Sequence, residues 1–408
     1  MKCRSCGAAT GHTVLDLGAS PPSNAILSQA DLSRPETWLP LRIWLCETCL
    51  LVQTEDFAAP DTLFHSEYPY LSSYSRSWLD HAERFADMAR TRFNVGHDSF
   101  VVEIGANDGY LLQYFQQAGI PCLGIEPTSA AAEIAKAKNL DIEVAFFGRE
   151  TAQRLSSQGQ LADLIVTNNV FAHVPDIDDF LAGISTILKP GGVVSIEVAH
   201  LLSLVRENQF DTVYHEHFSY WSLAAAENAL SKQNLTVFDV ELLLTHGGSL
   251  RILAQHANGP QKPGPSLAHV RQQEADAGLH SAAGYDLMQS RAVAAKNELL
   301  TFLLDKKKAG ESVCAYGAAA KGNTLLNFAG VRPDLVSWVG DANPMKQGRF
   351  LPGSRIPIVS EAQIRQDKPN WILILPWNIK DEIISQLDYA RGWNAKFVTA
   401  IPRLEIHA

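Results

Sequence analysis

Short apolar runs alternate with segments of helical spacing through the middle of the chain. The runs are bounded by Gly, Pro or polar residues, which is typical of buried strands. Because strand and helix patterns follow one another in turn, they favour βαβ units and a parallel sheet. The predicted strands lie at 100–104, 122–125, 162–167 and 192–199, and the predicted helices at 78–92, 110–118, 129–137 and 177–188.

A second pattern of the same kind occupies the end of the chain. The Gly- and Pro-rich stretch at 258–266 has the composition of a linker, and residues 266–308 have mostly helical spacing. The later pattern predicts a second Rossmann-like sheet. Its strands are predicted at 312–316, 336–340 and 371–375, with a loop at 317–322 and a helix at 323–329.

The first 65 residues are too few for a robust core of their own, and they contain two C-x-x-C pairs. Thiolates at this spacing are typical of a tetrahedral structural zinc site, and a site of four cysteines is closed to catalysis. The unpaired Cys122 and Cys314 lie in apolar segments and are predicted to be buried. The predicted zinc ligands are Cys3, Cys6, Cys46 and Cys49.

These patterns predict an α/β protein of three parts. A zinc-binding module is expected at 1–65, a first Rossmann-like domain at 66–258, and a second at 266–408. Hydrophobic residues make up 46% of the chain and charged residues 19%, as in ordinary globular proteins. The sequence gives no indication of the oligomeric state, and a monomer is compatible with it.

Charge and hydropathy limit the partners of this protein. The net charge of −10 argues against nucleic acid, because phosphate binding needs a cationic face. No apolar run approaches the roughly 20 residues that span a membrane, and the first residues lack the apolar core of a signal peptide. We therefore expect no membrane partner and a cytoplasmic location. Residues 301–408 hold 14 Lys and Arg against 10 Asp and Glu, which suits a small anionic ligand there.

A Gly-rich turn follows the first strand of the middle domain and is typical of a cofactor site. Its glycines would let the backbone approach a ligand, and the absence of G-x-G-x-x-G disfavours a dinucleotide. An acidic residue ends the next strand, where it can accept both ribose hydroxyls. With the Leu-Lys-Pro-Gly-Gly turn at 188–192, this order predicts S-adenosylmethionine (SAM). The predicted SAM residues are Glu103, Gly105, Asn107, Asp108, Gly109, Glu126, Asn168 and Asn169.

The run Tyr-His-Glu-His-Phe-Ser-Tyr at 214–220 supplies the groups needed to abstract a proton beside a carbonyl. His217 is the predicted base, and Tyr214 would donate to the enolate oxygen. Glu216, or a nearby carboxylate, would set the tautomer of His217 or assist the proton transfer. On an extended strand His217 would face away from the other two, so the prediction requires an irregular loop. A metal site at His215 and His217, or a polar packing motif, remains an alternative.

Further polar residues are candidates for the same site. His173 follows a strand beside the predicted cofactor and could be catalytic or structural. Tyr68, Tyr70 and Ser72 precede the first helix of the middle domain, where the tyrosines could equally be packing aromatics. Tyr68 is assigned to catalysis, whereas Tyr70 and Ser72 are assigned to substrate binding.

Cations gather around the predicted loop and helix at 317–329. A helix N-terminus with neighbouring cations suits a diphosphate, although unpartnered surface charges are the alternative. The turn His-Gly-Gly-Ser-Leu-Arg at 246–251 closes the middle domain and is also assigned to the substrate. The predicted substrate residues in these two regions are Lys321, Asn323, Lys346, Arg349, Ser249 and Arg251.

These motifs, taken together, resemble those of the three-domain sugar C-methyltransferases, which act on nucleotide-linked ketosugars in deoxysugar biosynthesis. The resemblance covers nearly the whole chain. It implies that SAM binds the middle, class I methyltransferase domain and the nucleotide diphosphate the C-terminal domain. It also implies that His217 enolises a 4-keto sugar, with Tyr68, His173, Tyr214 and Glu216 in the same cavity. Ala106 and Ala319 depart from the expected Ser and Pro, which puts only the local loop contacts in doubt.

The sequence therefore predicts a SAM-dependent C-methyltransferase of a nucleotide diphospho-4-keto-deoxysugar, with structural zinc and no metal in the chemistry. Two alternatives stay open at this point. The acceptor could be an oxygen or nitrogen of another small metabolite. Alternatively, the chain could be a non-catalytic binding protein for nucleotides.

Overall fold

The computed structural model describes residues 2–9, 11–57 and 71–407, and Tyr68 and Tyr70 lie outside these ranges. Three sheets, of four, seven and six strands, organise the described chain. None of the helices in these ranges combines the length and apolar character needed to cross a bilayer.

The N-terminal sheet is antiparallel and includes the predicted strand before the second cysteine pair. Its first strands pair in order, β1 with β2 and β2 with β3. Its apolar side chains, such as Ile43 and Leu45, pack with Leu299 and Leu326 of the C-terminal part. Trp44 and Leu51 pack instead with the core of the middle domain, so the module shares a core with both neighbours. The strands are β1 (Gly11–Ser20), β2 (Leu39–Cys46) and β3 (Val52–Thr54).

The middle domain has the predicted strand and helix alternation, followed by an antiparallel pair that the sequence did not predict. The helix at Arg149–Ser157 was also missed. Its strands are β4 (Val101–Ile104), β5 (Cys122–Ile125), β6 (Ile142–Glu143), β7 (Ala162–Asn168), β8 (Leu188–Ala199), β9 (Ser219–Tyr220), β10 (Leu235–Leu243) and β11 (Ser249–His256). Its helices are α1 (Arg76–Arg92), α2 (Leu112–Gln117), α3 (Ser129–Ala137), α4 (Arg149–Ser157), α5 (Ile177–Ile187), α6 (Leu201–Arg206) and α7 (Leu223–Ser231).

The strand order of the seven-stranded sheet places a crevice beside β4. The order is β10-β11-β8-β7-β4-β5-β6, so the chain leaves β4 for β5 on one side and returns to β7 on the other. Ligands bind at such switch points, outside the carboxyl ends of parallel strands. Strand β9 does not belong to this sheet. It pairs with β3 and is the fourth strand of the N-terminal sheet.

The C-terminal part begins with helices, as the sequence predicts, and the linker lies between β11 and the first of them. A second crevice lies beside β12, which has β13 on one side and β15 on the other. The helices are α8 (Pro265–Asp276), α9 (Met288–Lys308), α10 (Ala320–Ala329), α11 (Ala362–Asp367) and α12 (Lys380–Gln386). The strands are β12 (Val313–Tyr316), β13 (Val339–Gly340), β14 (Ile358–Val359), β15 (Trp371–Ile374), β16 (Lys396–Thr399) and β17 (Glu405–His407).

Candidate active site

A cavity of about 400 Å³ lies at the carboxyl edge of the seven-stranded sheet. All three parts of the chain contribute to its wall. Asn24 comes from the N-terminal module, the turn after β4 and the 214–217 segment from the middle domain, and Lys321 and Lys346 from the C-terminal part. Five of the predicted SAM residues therefore share one cavity with Tyr214 and His217 of the predicted catalytic run; the five are Gly105, Asn107, Glu126, Asn168 and Asn169.

The cofactor end of the cavity is formed by a closed set of hydrogen bonds. Asn107 adopts a left-handed conformation with φ of 48°, and its N–H donates to Glu126 Oε2 at 2.9 Å. Glu126 Oε1 accepts the N–H of Thr128 at 2.8 Å, and burial raises the pKa of the Glu126 carboxyl. Asn107 Oδ1 in turn accepts the N–H of Ser72 at 2.9 Å. Ser72, predicted to bind substrate, thus lies at the cofactor end.

Two adjacent asparagines end β7 at this edge. Asn168 is 6% exposed, it lines the cavity, and neither polar atom of its amide has a hydrogen-bond partner. Asn169 lies 3.0 Å from His246 Nε2 through its Nδ2 atom, and burial lowers the pKa of His246 to about 4. An unsatisfied buried amide is costly unless a ligand completes it. Together with the Glu126 carboxylate, this donor and acceptor set fits SAM, with its ribose hydroxyls and amino acid group.

Three of the predicted SAM residues do not line the cavity. Glu103 is fully buried within β4, where desolvation raises the pKa of its carboxyl well above the ordinary value. Asp108 Oδ2 accepts the N–H of Ser73 at 3.1 Å, away from the cavity wall. A Cβ at Gly109 would lie 2.2 Å from Leu140, so this glycine is required by packing. These three residues lie outside the cavity wall in the described structure, and their assignment to the cofactor stays a prediction.

The predicted catalytic run forms a turn, as its chemistry requires. His217 N–H donates to the carbonyl of Tyr214 at 2.9 Å, which closes the turn and brings the two side chains together. The Tyr214 hydroxyl lies 2.7 Å from His217 Nε2, and the ring centroids are 3.9 Å apart. His215 points away and bonds to the carbonyl of Pro40 at 3.2 Å.

The tautomer of His217 is set by the backbone. Its Nδ1 lies 3.0 Å from the carbonyl oxygen of Thr212, which can only accept, so Nδ1 carries the hydrogen and Nε2 the lone pair. Burial, followed by the neighbouring His173 and Lys321, lowers the pKa of His217 well below its ordinary value. The Nε2 lone pair is therefore available at neutral pH, and it faces Tyr214 at the cavity wall.

The structure brings the carbonyl of Thr212, and not the Glu216 carboxylate, to Nδ1 of His217, so a catalytic role for Glu216 stays a prediction. Glu216 is 1% exposed, and its Oε1 accepts the N–H of Asn24 at 3.0 Å. Burial raises the pKa of the Glu216 carboxyl. His173 lines the cavity and lies at a centroid distance of 4.7 Å from His217, with Nδ1 2.6 Å from the Glu216 carbonyl oxygen.

Two of the predicted C-terminal cations face the cavity. Lys321 lies in the first turn of α10, where burial lowers the pKa of its amine, and its Nζ donates to Asn378 at 2.8 Å. Lys346 follows β13, and its Nζ donates to the carbonyl of Ala318 at 2.8 Å. Ala319 and Ala320, at the N-terminus of α10, line the cavity beside them. A helix N-terminus and two ammonium groups together form a site for an anion.

The other four predicted substrate residues are not brought to the cavity wall. Arg251 is buried in β11 and pairs with Glu197 at 2.9 Å and with Glu241 at 2.7 Å. Ser249, in the same strand, donates to the carbonyl of Thr245 at 3.0 Å. Because two carboxylates hold the guanidinium of Arg251 within the sheet, the structure does not bring it to the cavity, and its assignment to the substrate stays a prediction. The remaining two are Asn323, which is buried behind the wall, and Arg349, which is exposed outside it.

The four predicted zinc ligands form one cluster. Their sulfur atoms lie within 4.8 Å of one another, with 3.5 Å between Cys3 and Cys49 and between Cys6 and Cys46. Sulfurs bound to zinc at about 2.3 Å in a tetrahedron are separated by a little under 4 Å, so the cluster fits this ion. Gln53 Nε2 donates to Cys3 Sγ at 3.1 Å.

The zinc cluster is linked directly to the catalytic run. Gln53 lies in β3, which pairs with β9, and β9 begins two residues after His217. Thr54 adds a hydrogen bond from its hydroxyl to the carbonyl of His217 at 3.2 Å. The module therefore fixes the backbone on which the predicted base is carried.

Several cavity residues were missed by sequence reasoning. Trp78 packs edge-on against His246, and Phe146 and Phe147 line the cofactor end near Glu126. Asn24 and Thr212 lie at the other end. The asparagine lies in a Pro-rich turn with no functional signature, whereas the proximity of Thr212 to the His217 turn could have pointed to it.

Comparison with known proteins agrees with this architecture. A zinc binding domain family matches residues 3–64, a methyltransferase domain family matches 70–240, and a C-methyltransferase C-terminal domain family matches 244–402. C-methyltransferase NovU of Streptomyces niveus is 32% identical over 401 residues, which cover 98% of this chain and 95% of that protein.

Two further similarities are confined to part of the chain. A ubiquinone biosynthesis O-methyltransferase of Chelativorans sp. (strain BNC1) is 31% identical over 97 residues, which cover 24% of this chain and 38% of that protein. The structure of magnesium protoporphyrin IX methyltransferase (ChlM) from Synechocystis PCC 6803 with bound SAM has a TM-score of 0.34 and 13% identity, covering 43% of this chain and 78% of that one.

The fold, the cavity and these matches define a SAM-dependent methyltransferase with a four-cysteine zinc-binding domain. Within that class, the full-length similarity is decisive. The chain belongs to the C-methyltransferase family that includes NovU, which confirms the resemblance drawn from its motifs.

Proposed function

We propose that this protein methylates a carbon of a nucleotide diphospho-4-keto-deoxysugar, next to the ketone. One observation carries the proposal. His217, a neutral imidazole with its Nε2 lone pair held at the cavity wall by Thr212, shares the cavity with the residues that fit SAM. An oxygen or nitrogen acceptor carries its own lone pair, whereas a carbon acceptor needs a base of this kind to become a nucleophile.

The chain's own residues account for the proton transfer. His217 Nε2 takes the proton from the carbon beside the ketone, and the C–H electron pair forms a carbon–carbon double bond as the carbonyl oxygen becomes an enolate. SAM, when bound, supplies an electrophilic methyl group. Asn107, Glu126 and Asn168 would hold this cofactor, and the protein's own residues would make the acceptor carbon nucleophilic toward that methyl group. The Thr212 carbonyl stabilises the imidazolium, because Nδ1–H already donates to it.

Tyr214 holds the base until the substrate arrives. Its hydroxyl donates to His217 Nε2 at 2.7 Å, so the entering C–H bond must take its place. The displaced phenol lies beside the reacting carbon and can then donate to the enolate oxygen. We assign His173 to the same wall and the diphosphate to Lys321, Lys346 and the N-terminus of α10, where the positive charge complements the ligand.

Methylation of a defined acceptor tests the proposal. The protein would be incubated with SAM and a panel of nucleotide diphospho-4-ketosugars, and the products analysed by mass spectrometry and NMR. We expect a gain of one methylene unit that appears as a C-methyl signal. A methyl ether as the product would contradict the assignment. So would methylation of a different class of acceptor by a protein that methylates none of the ketosugars in the panel.

The role of His217 is tested apart from methyl transfer. In D₂O with S-adenosylhomocysteine bound, the wild type should exchange the hydrogen beside the ketone. His217→Asn should lower the rates of both exchange and turnover by about 10²- to 10⁴-fold, as for other general bases. Its affinity for S-adenosylhomocysteine should stay within about twofold of the wild-type value. His215→Asn is the matched control, since His215 lies in the same turn but bonds to Pro40. Equal losses in both variants would reject His217 as the base.

A further inference from the structure

The N-terminal module contributes a residue to the acceptor end of the cavity. Asn24 is half-buried and lines the cavity together with Thr212, Tyr214 and His217. It lies in the turn that follows β1, nearly 200 positions before the catalytic run in the sequence. A side chain from the zinc-binding module thus borders the place where the acceptor would react.

The backbone of Asn24 is held from both sides. Its N–H donates to Glu216 Oε1 at 3.0 Å, and the preceding Ser23 hydroxyl lies 3.4 Å from the hydroxyl of Thr324 in α10. After the turn, Leu27 and Phe350 exchange two backbone hydrogen bonds of 2.9 Å. The turn is therefore fixed between the middle and C-terminal domains.

The buried carboxylate of Glu216 lacks an explanation in the proton transfer. Its carboxylate is hydrogen-bonded to Asn24, and Glu216 is not among the described residues that line the cavity. Its second oxygen, Oε2, is buried with no hydrogen-bond partner. Burying a carboxyl in this way opposes folding, so a purely structural role would be served better by an apolar side chain. Its contact with Asn24 is the feature that leads back to the cavity.

We propose that Asn24 is a positioning residue for the acceptor and that Glu216 acts through it. The carboxamide of Asn24 both donates and accepts, so it can bind a sugar oxygen next to the reacting carbon. Glu216 accepts the Asn24 N–H and also interacts with the Asn24 side chain, so the carboxylate holds this carboxamide at the cavity wall. The inference rests on the proposed function, because it names the residue that aligns the same ketosugar with His217.

Steady-state kinetics of the full-length, zinc-loaded protein test the inference. Asn24→Ala should raise the acceptor KM by about tenfold, the usual effect of losing one hydrogen bond to a ligand, while S-adenosylhomocysteine affinity stays within about twofold. Asn24→Ser keeps a small polar group, so its acceptor KM should lie between those of the wild type and Asn24→Ala. Ser23→Ala is the matched control, because it loosens the same turn without touching the cavity, and its KM should stay within about twofold.

Glu216 variants separate positioning from proton transfer. Glu216→Gln retains an oxygen that accepts the Asn24 N–H, so its kcat and its deuterium exchange should stay within about threefold of the wild type. Glu216→Ala should raise KM as Asn24→Ala does, and the double variant should be no worse than either single one. A loss of kcat in Glu216→Gln comparable to that of His217→Asn would overturn the inference in favour of a proton-carrying role.

The outcomes distinguish this inference from the proposed function. If the wild type methylates a ketosugar and Asn24→Ala keeps the wild-type KM, the positioning role fails and the proposed function stands. If Ser23→Ala and Asn24→Ala raise KM equally, the turn and not the carboxamide is responsible, and the inference also fails. If the wild type neither binds nor methylates any nucleotide diphospho-4-ketosugar, both fail.

Discussion

The two ends of the cavity are built in different ways. At the cofactor end, Asn107, Glu126 and Asn168 lie within one domain, and each follows a strand of one sheet. At the acceptor end, Asn24, His217 and Lys321 come from three parts of the chain and meet only when the domains pack. Cofactor recognition is therefore a property of a single fold, whereas acceptor recognition depends on the packing of three.

The two ends of the cavity also differ in the titratable groups that they contain. The cofactor end contains carboxylates, and burial raises the pKa of Glu126. The acceptor end collects bases, and burial lowers the pKa of His173 to about 4 and that of Lys321 below its ordinary value. Such groups become charged readily when an anion enters, because the anion favours their protonated forms. The acceptor end is thus adapted to an anionic ligand, which agrees with the proposed diphosphate.

Removal of a zinc ligand should produce the largest difference between the two ends of the cavity, because it should lower turnover far more than cofactor affinity. Cys46→Ser should lose zinc, measured by elemental analysis, and lower turnover by more than about 100-fold, because β3 then no longer holds the strand that follows His217. S-adenosylhomocysteine affinity should change by less than about fivefold. Cys122→Ser is the control, since Cys122 lies outside the cluster. If cofactor affinity falls as far as turnover, the module supports the whole fold and not the acceptor end alone.

Loss of the Glu126 carboxylate, which we assign to the ribose of SAM, should weaken binding of the cofactor and not of the nucleotide sugar. Glu126→Gln should weaken S-adenosylhomocysteine binding by about 10- to 100-fold in calorimetry, in line with hydrogen bonds to a charged group. Nucleotide-sugar affinity should remain unchanged. Glu143→Gln provides the control, since this acid ends the neighbouring strand β6 but does not line the cavity. Parallel losses for both ligands would mean that the ends are coupled.

The contrast between the two ends explains how much of the fold and of the candidate site could be predicted from the sequence. The parallel sheets, the turn after β4, Glu126 and the asparagines after β7 follow from local patterns, because strand ends in a parallel sheet meet at one edge. The same reasoning could not show that Asp108 bonds to the backbone of Ser73 or that Gly109 packs against Leu140, and neither residue lines the cavity. Local reasoning shows that a residue is near an edge but not which way it faces.

The acceptor end was predicted less well because its contacts are long-range. No local pattern links Asn24 to Glu216, which are joined by a hydrogen bond. Sequence reasoning favoured Glu216 as the orienting group for His217, whereas the structure brings the backbone carbonyl of Thr212, which has no sequence signature, to the Nδ1 atom. Arg251 was assigned to the substrate because its partners, Glu197 and Glu241, could not be placed beside it from the sequence.

Removing a cation from the acceptor end should have an effect of intermediate size on the KM for the nucleotide sugar. Lys346→Met should raise the nucleotide-sugar KM by about tenfold and make that KM less sensitive to salt, because one charge-assisted contact to the diphosphate is lost. Cofactor affinity should be unaffected. Lys380→Met is the control, as Lys380 pairs with Asp381 outside the cavity. An unchanged KM and salt dependence would place the diphosphate elsewhere.

The smallest expected effect concerns stability in acid and distinguishes the buried bases from the buried acids. The pKa of His246 is about 4 in the folded protein and near 6.5 in the unfolded chain, where the imidazole is solvated. Between pH 4 and 6.5 the unfolded chain binds a proton at His246 that the folded protein does not bind. The free energy of unfolding is therefore unaffected by this group above pH 6.5 and is lowered by it as the pH falls towards 4.

Glu126 and Glu216, whose pKa values are raised, act in the opposite direction, because the folded protein then binds the additional protons. The net pH dependence of the wild type therefore mixes both kinds of group, and a difference between variants is needed to isolate one of them. His246→Asn should lessen the fall in the free energy of unfolding between pH 6.5 and 5 by about 1–2 kcal/mol, since one buried imidazole accounts for about 1.4 kcal/mol per pH unit. Denaturant titrations at the two pH values measure it, with the exposed His97→Asn as the control. If both variants keep the wild-type slope, the His246 ring is protonated without loss of stability, and its surroundings are better solvated than its burial indicates.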